Sequence, residues 1–352
     1  MPKVKQRRLG FHRLKSNLSG FLSRPISVLS NPYTAWTSVL AMFGALLADL
    51  FGRGYGWVLG LAVVIFLYGI WDELRKTDIY QHAAIPLPVV VNVANPASSQ
   101  NALSALFHMI EGNPRFHSHR HHLAQYLTIE ASDLIFNYPG DIHNLDMLKD
   151  FLKITRHNLE QLKGKTPKNT TLYLAYIGPA SAGILVGTML GTDSVKIFQY
   201  NKSSDSYFEA IHIQDRLLKE PVQQFEKFKV NWPNSQSHSR LTVAIDVASH
   251  KIKLNEPSIQ TYGDIIYMAS KSNGTIQITE DWIQYCREMF TVVNLAQQAY
   301  DEIRLVYSMP VALAVALGCA LQNYWKIMLT NYDSKTSTYR DLMYMNDLRY
   351  FF

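Results

Sequence analysis

A serine set among small residues, Pro179-Ala180-Ser181-Ala182-Gly183, follows the β-like run TLYLAYI and opens an apolar helical pattern. Strand, sharp turn with serine, helix is how an α/β-hydrolase presents a nucleophile. It is equally how a nucleotide-binding α/β domain presents a ligand-facing loop. A nucleophilic serine needs a base within hydrogen-bond reach, and no base falls near a strand end that geometry would favour. A second concentration of chemistry is FHSHRHH, with His117, His119, His121 and His122 as imidazole donors. Carboxylates and cysteines are missing nearby, and the spacing fits no structural zinc pattern. That leaves a polar loop or helix start, or a ring nitrogen and Arg120 facing a phosphate. The two cysteines, Cys286 and Cys319, provide neither a disulfide framework nor a Cys-rich metal site, and a reducing compartment is the easier setting.

The elements that must position these residues repeat along the chain. IPLPVVVNVAN (85–95) is a near-continuous apolar β run, and apolar residues 145, 148, 152, 159 and 162 form a helical stripe. The strand TLYLAYI, the serine helix and the strand SVKIFQYN follow. Buried parallel strands read as continuous Val/Ile/Leu runs, and these alternate with helices. The same order returns in LTVAIDVASH (241–250), a helix opened by Thr279, Glu280 and Asp281, EIRLVYS, MPVALAVALGCAL and KIMLTNYD. Pro179 and Pro310, Gly187 and Gly318, and Leu190 and Leu321 each lie 131 residues apart. Tyr200 and Tyr332, and Tyr207 and Tyr339, lie 132 apart. This is an internal duplication, read as two α/β halves packed as a pair. Ser181 meets Ala312 in the second copy, so a duplicated site needs no hydroxyl there. Both copies keep a proline, expected at the first helical position. Both keep small residues behind it, which let the helix backbone approach the sheet and leave its N-terminus open to phosphate. Asn273-Gly274 reads as a hairpin turn.

The N-terminal quarter is of another kind. The net charge of +6 is concentrated in the first 24 residues, which carry seven bases and no acid. The remainder is nearly neutral, so no DNA partner is expected. Residues 33–51 and 54–71 are apolar runs joined by Gly52-Arg53, each close to the ~20 residues a helix needs to cross a bilayer. Tyr33, Trp36, Tyr55, Trp57, Tyr68 and Trp71 stand near their ends, where aromatic side chains meet headgroups. Lys and Arg flank the pair on both outer sides, which predicts two spans with both termini cytoplasmic. Phe11, Leu14, Leu18, Phe21 and Leu22 fall near one helical face, suited to an anionic lipid surface; a tail that only sets topology is the alternative. Gly44 and glycines 52, 54, 56, 60 and 69 permit close helix contact between several such hairpins.

The stretches LYLAYIGPASAGILVGTML, VKIFQYN and YFEA, and then IRLVYSMPVALAVALGCAL, IMLTNYD and YRDL, resemble the two halves of a SAVED domain over about residues 80 to 352. SAVED domains are sensors of cyclic oligonucleotides in bacterial anti-phage defence (CBASS), and some serve type III CRISPR systems. Each is similar to a fused pair of Rossmann-like CARF units. The resemblance implies an α/β fold of two pseudo-symmetric CARF-like halves preceded by a transmembrane helical hairpin. The expected boundaries are 1–30 for the basic arm, 31–74 for the hairpin, and 75–235 and 236–352 for the halves. It implies a membrane effector in the bacterial inner membrane that is not an enzyme. The partners it implies are a cyclic tri- or tetranucleotide made by a cognate nucleotidyltransferase, membrane lipid, and further copies of the chain assembled on ligand. The alternatives are a membrane-anchored enzyme that cleaves cyclic oligonucleotides, another hydrolase, or a CRISPR-linked sensor.

Ligands of open α/β sheets bind beyond the carboxyl ends of the strands. Applied to both halves, that rule selects the loops holding Asn95 and Ser98; Tyr176, Gly178 and Ser181; Ser249, His250 and Lys251; and Tyr307 and Ser308. Ser98, Ser181 and Ser308 are expected to bond phosphate or ribose oxygens, Lys251 to neutralise phosphate, and Tyr176, Tyr307 or His250 to stack on a base. Tyr200 and Lys202 are second-rank choices.

Overall fold

The structure, a computed structural model, describes residue 44 and residues 56–190, 194–248, 250–272 and 276–350. The basic arm, the first apolar run save Gly44, Ser249 and the Asn273-Gly274 turn lie outside the described residues. The chain divides into two compact units, Met1–Ala84 with Gln125–Thr128, and Ile85–Ala124 with Ile129–Phe352.

In the first unit residues 56–71 of the second apolar run are part of helix α1 (Gly56–His82). The helix continues past Trp71 because the following residues are good helix formers that pair at i,i+4: Lys76 Nζ lies 2.7 Å from Asp72 and His82 Nδ1 3.1 Å from Asp78. The buried Glu73 carboxylate accepts from the Tyr126 hydroxyl at 2.7 Å and from Gln125 Nε2 at 3.2 Å. Val64, Leu67, Tyr68 and Trp71 are more than half exposed. Among the described residues no helix is long and apolar enough to cross a membrane.

The second unit holds two sheets. The first runs β2-β1-β3-β4-β5, with β1 (Pro86–Asn92), β2 (Ile135–Asn137), β3 (Thr171–Ile177), β4 (Val195–Asn201) and β5 (Ser206–Ile213). The second comprises β6 (Phe228–Asn231), β7 (Arg240–Asp246), β8 (Asp264–Ser270), β9 (Glu302–Ser308), β10 (Ile327–Asp333) and β11 (Thr338–Tyr344), in the order β11-β10-β9-β7-β8-β6. With β6 set aside, the two orders are the same. In each, three parallel pairings are followed by one antiparallel pairing at the far edge. Even the register irregularities coincide, between Ile197 and Phe198 in one half and between Leu329 and Thr330 in the other. The duplication read from spacing therefore holds down to the bulge. Strands β1 and β9 are buried along their whole length; β1 accordingly reads as an apolar run, whereas β9 takes Glu302 and Arg304 inside with it.

Helices α2 (Ser99–Glu111), α4 (Leu145–Lys165) and α5 (Ala180–Leu190) belong to the first half, as does α3 (His119–Leu127) up to residue 124. The second half has α6 (Pro257–Gln260), α7 (Trp282–Ala299) and α8 (Val311–Leu321). α4 and α7 open alike: Asn144 accepts from Met147 N–H at 3.2 Å, and Asp281 accepts from Gln284 N–H at 3.0 Å, an N-cap in each case. The two prolines sit one position earlier than expected. Pro310 is the N-cap of α8, and Pro179 immediately precedes α5. Their carbonyls take the first helical bonds, from Ala314 and Gly183 N–H, both at 3.1 Å.

α5 and α8 carry almost only apolar side chains and are buried on every side. They pack on each other at their glycines. A Cβ on Gly187 would stand 2.0 Å from the Val315 carbonyl oxygen, and one on Gly318 would stand 2.0 Å from the Ile184 oxygen. The small residues that both copies keep thus serve helix-to-helix contact between the halves, rather than the approach of each helix to its own sheet. The charges that β9 buries are paired, as burial demands. Arg304 Nε lies 2.6 Å from Asp341, and Glu302 meets Arg240 at 3.0 Å and Lys326 at 3.1 Å.

Candidate functional site

The carboxyl ends of the central strands in each half open into a cavity. The first encloses about 620 Å³ and is walled by Tyr176 to Gly178 at the end of β3, by Gln199 and Tyr200 of β4, and by Tyr207 of β5. The second encloses about 330 Å³ and is walled by Tyr307 to Met309 after β9, by Asn331 and Tyr332 of β10, and by Tyr339 of β11. These walls are the same positions of the duplicated unit. The loop after the first strand closes each cavity too, with Ser98 in one and Ala248 and His250 in the other.

Each cavity borrows its last wall from the opposite half. Val311, the first residue of α8, lines the first cavity, and Pro179, Ala180 and Ser181 at the start of α5 line the second. Paired latches hold this exchange. Ser181 Oγ donates to Asn331 Oδ1 at 3.0 Å, and Ala312 N–H donates to Gln199 Oε1 at 3.1 Å. Gln199 and Asn331 are equivalent positions, as are Ser181 and Ala312. The second copy therefore does without the hydroxyl because a main-chain N–H makes the same link. Ser181 is buried and gives its proton to an amide oxygen, so it sits as a structural latch at the edge of a cavity.

Tyr176 and Tyr307 present only buried rings to their cavities. The Tyr176 hydroxyl donates to the Pro179 carbonyl at 2.7 Å, and that of Tyr307 donates to the Thr330 carbonyl. Burial pushes both phenols well above their usual range, so they stay neutral. Gly178 has φ +151°, and a Cβ there would meet the Tyr176 hydroxyl at 2.6 Å; the position needs glycine. Ser308 Oγ donates to the His250 carbonyl, which ties that loop to the end of β9. The His250 ring lies 4.9 Å from that of Tyr332. Ser98 Oγ donates to the Asn95 carbonyl at 2.7 Å and accepts from Asn92 Nδ2 at 3.2 Å. Asn95 lines neither cavity; its side chain accepts from Ala97 N–H at 3.1 Å. Lys251 reaches the buried Asp246 at 3.3 Å with its side chain 57% exposed, beside a smaller recess that it shares with His250 and Tyr332.

The two cavities differ in charge. Asp205, at φ +48°, lines the first and accepts from the Tyr200 hydroxyl at 2.5 Å, which raises that phenol's pKa. The second has an imidazole in its wall and a lysine close by. Spacing alone missed Gln199, Asn331, Asp205 and the first residue of α8. The signal that could have found part of this wall was the repeat itself, since Tyr200 and Tyr207 face each other across β4 and β5 as Tyr332 and Tyr339 do across β10 and β11, with centroids 5.3 and 5.1 Å apart.

The histidine run holds no metal cluster. Among the described residues no group of His, Cys, Asp or Glu could hold a metal ion. His119 is a core residue whose Nε2 lies 2.7 Å from the Pro86 carbonyl oxygen, and His117 and His121 are exposed.

Residues 217–345 match a family model described as SAVED, the SMODS-associated and fused to various effectors sensor domain. The resemblance read from the sequence is thus shown over that stretch, which runs from just before β6 through β11. Among solved structures, the chain is similar to the Acinetobacter baumannii Cap4 SAVED/CARF-domain containing receptor with the cyclic trinucleotide 2'3'3'-cAAA, at 11% identity and TM-score 0.44, covering 87% of this chain and 65% of that one. It is also similar to the same receptor with 3'3'3'-cAAA, at 11% identity and TM-score 0.43, covering 87% of this chain and 66% of that one. The Moraxella osloensis Cap4 SAVED/CARF-domain containing receptor is similar at 13% identity and TM-score 0.41, covering 91% of this chain and 78% of that one. The chain spans just under two thirds of the first two of these. No curated protein matches.

Proposed function

We propose that the α/β body is a non-enzymatic sensor of a cyclic oligonucleotide, a tri- or tetranucleotide ring supplied by a cognate nucleotidyltransferase. The observation that carries this is the pair of pseudo-equivalent cavities, each completed by a helix start from the opposite half. A ring of repeated nucleotide units suits a pair of repeated pockets. Helix N-termini favour phosphate, the tyrosine-lined walls suit bases and sugars, and Lys251 stands near the second cavity to neutralise charge. The SAVED match over residues 217–345 supports the same ligand class.

The effector is the N-terminal segment. In this proposal ligand binding assembles several chains, and their apolar hairpins disrupt the bacterial inner membrane from a position with both termini cytoplasmic. Support comes from the two apolar runs with their flanking bases and from the exposed apolar residues Val64, Leu67, Tyr68 and Trp71 on α1.

The test is calorimetry of the purified protein against cyclic di-, tri- and tetranucleotides, with mass measured by light scattering on the same samples. Tight binding of one ring, recovered intact by chromatography and accompanied by a rise in mass, is the expected result. No binding to any ring overturns the sensor; a cleaved ring makes the protein an enzyme.

A further inference from the structure

We propose that the open edge of β2 is a docking site for an extended segment of a partner protein. The segment adds to the first sheet as an antiparallel strand and lays apolar side chains into the groove between β2 and α4. The molecule itself shows what such a groove holds. In the second half the edge of β8, the equivalent of β2, is covered by β6, paired antiparallel from Phe228 opposite Ser270 to Asn231 opposite Tyr267. Phe228 is buried against Tyr285 of α7, with centroids 5.5 Å apart. The chain leading into β6 hangs on α7 by main-chain N–H groups. Val222 donates to Thr291 Oγ1 at 2.9 Å, and Glu226, Lys227 and Phe228 donate to the buried Glu288 carboxylate at 2.7 to 3.1 Å.

In the first half nothing among the described residues fills that place. β2 ends its sheet. Tyr138 N–H donates to the Asn92 carbonyl at 2.8 Å, so alternation turns the main-chain groups of Ile135 and Asn137 outward, away from β1. The Ile135 N–H is taken by the Ser132 carbonyl, which leaves the Ile135 carbonyl and the N–H and carbonyl of Asn137 for an added strand. The groove encloses about 360 Å³. Counted from the caps Asn144 and Asp281, Phe151 and Ile154 stand where Glu288 and Thr291 stand in the other half. Both line the groove, with Met147. Met147 is 42% and Ile154 58% exposed. A carboxylate latch is thus replaced by apolar surface, which selects side chains rather than main-chain donors. Thr155, also in the lining, carries a buried hydroxyl with no hydrogen-bond partner.

Charge decides the occupant. Asp150 is the one charged residue in the lining, it is exposed, and none of its neighbours among the described residues pairs with it. A second copy offering its own β2 would bring a second Asp150 to the same groove, and like charges in one groove repel. A segment that alternates apolar residues with Lys or Arg satisfies the edge, the groove and the carboxylate together.

The experiment uses the full chain and three fluorescent ten-residue peptides that alternate Phe or Val with polar residues. In one the polar residues are Lys, in one Glu, and the third is the Lys peptide with alternate backbone nitrogens methylated. Anisotropy is expected to show the Lys peptide binding, at least tenfold weaker binding of the Glu peptide, and loss of binding on methylation. Ile154→Asp and, as an independent variant, Met147→Asp are each expected to weaken the Lys peptide at least tenfold. Both positions face solvent, and unchanged circular dichroism confirms folding. No binding to the wild-type chain, or binding indifferent to methylation or to both substitutions, overturns the proposal. So does a concentration-dependent dimer abolished by Ile154→Asp, which would place a second copy in the groove.

Discussion

At the scale of single residues, the informative comparison is Ser181 with Ala312. A serine in a strand–turn–helix setting suggests chemistry, and only its link to Asn331 shows that it fastens one half to the other. Ser181→Ala should cost about 1 kcal/mol of stability, as expected for one buried hydrogen bond. It should weaken nucleotide binding without abolishing it, read by urea unfolding and calorimetry on the same preparation. His119 makes a prediction of the opposite kind. Burial, opposed by the Pro86 carbonyl, holds its imidazole down to about 4 from the ordinary 6.5. The unfolded chain therefore takes up the proton first as pH falls. Stability is full above pH 6.5 and declines toward pH 4 by up to about 3 kcal/mol. His119→Gln should remove that part of the slope when urea midpoints are compared at pH 7 and pH 5. Neither role was legible in the sequence, since an amide partner 150 residues away and a carbonyl 33 residues away leave no local pattern.

At the scale of elements, most of the second unit could be read in advance. Apolar runs placed β1 and β7, because strands buried on both faces leave little polar alternation, and the repeated order of elements placed β3 and β9, the latter despite Glu302 and Arg304. The interval of 131 to 132 residues paired the helices and the tyrosines. The three-residue β2 and the β6 edge strand were missed, since both are too short and too mixed to carry a period. The purpose of the paired glycines was also hidden, because a small residue announces a close approach without naming the partner. Gly187→Ala should destabilise by about 3 kcal/mol or more, since the clash at the crossing is with backbone that cannot move aside. Gly164→Ala is the control. A Cβ there meets nothing within 4 Å, and alanine in α4 should stabilise by up to about 1 kcal/mol. Urea midpoints of the two variants should move in opposite directions.

At the scale of the whole molecule, a ligand that bridges both cavities should bind the folded chain alone and raise its unfolding temperature. At a hundredfold excess over Kd the added stability is about 2.7 kcal/mol. The prediction is checked by thermal scans with and without the ring that calorimetry selects. Gln199→Ala and Asn331→Ala, each in a different cavity, should both reduce the shift, since each helix start is held by the opposite half.

The crossing of α5 and α8 has a mechanical consequence. Where two backbones touch glycine to glycine, no side chain is present to flex and absorb a push. A displacement of either helix start must then pass through the contact as rotation, as in a pair of scissors pinned at Gly187 and Gly318. Because the handles of one half form the wall of the other's cavity, a ligand of the proposed kind that tightened one side would re-aim the opposite sheet, and the angle between the halves would become the quantity that its occupancy sets.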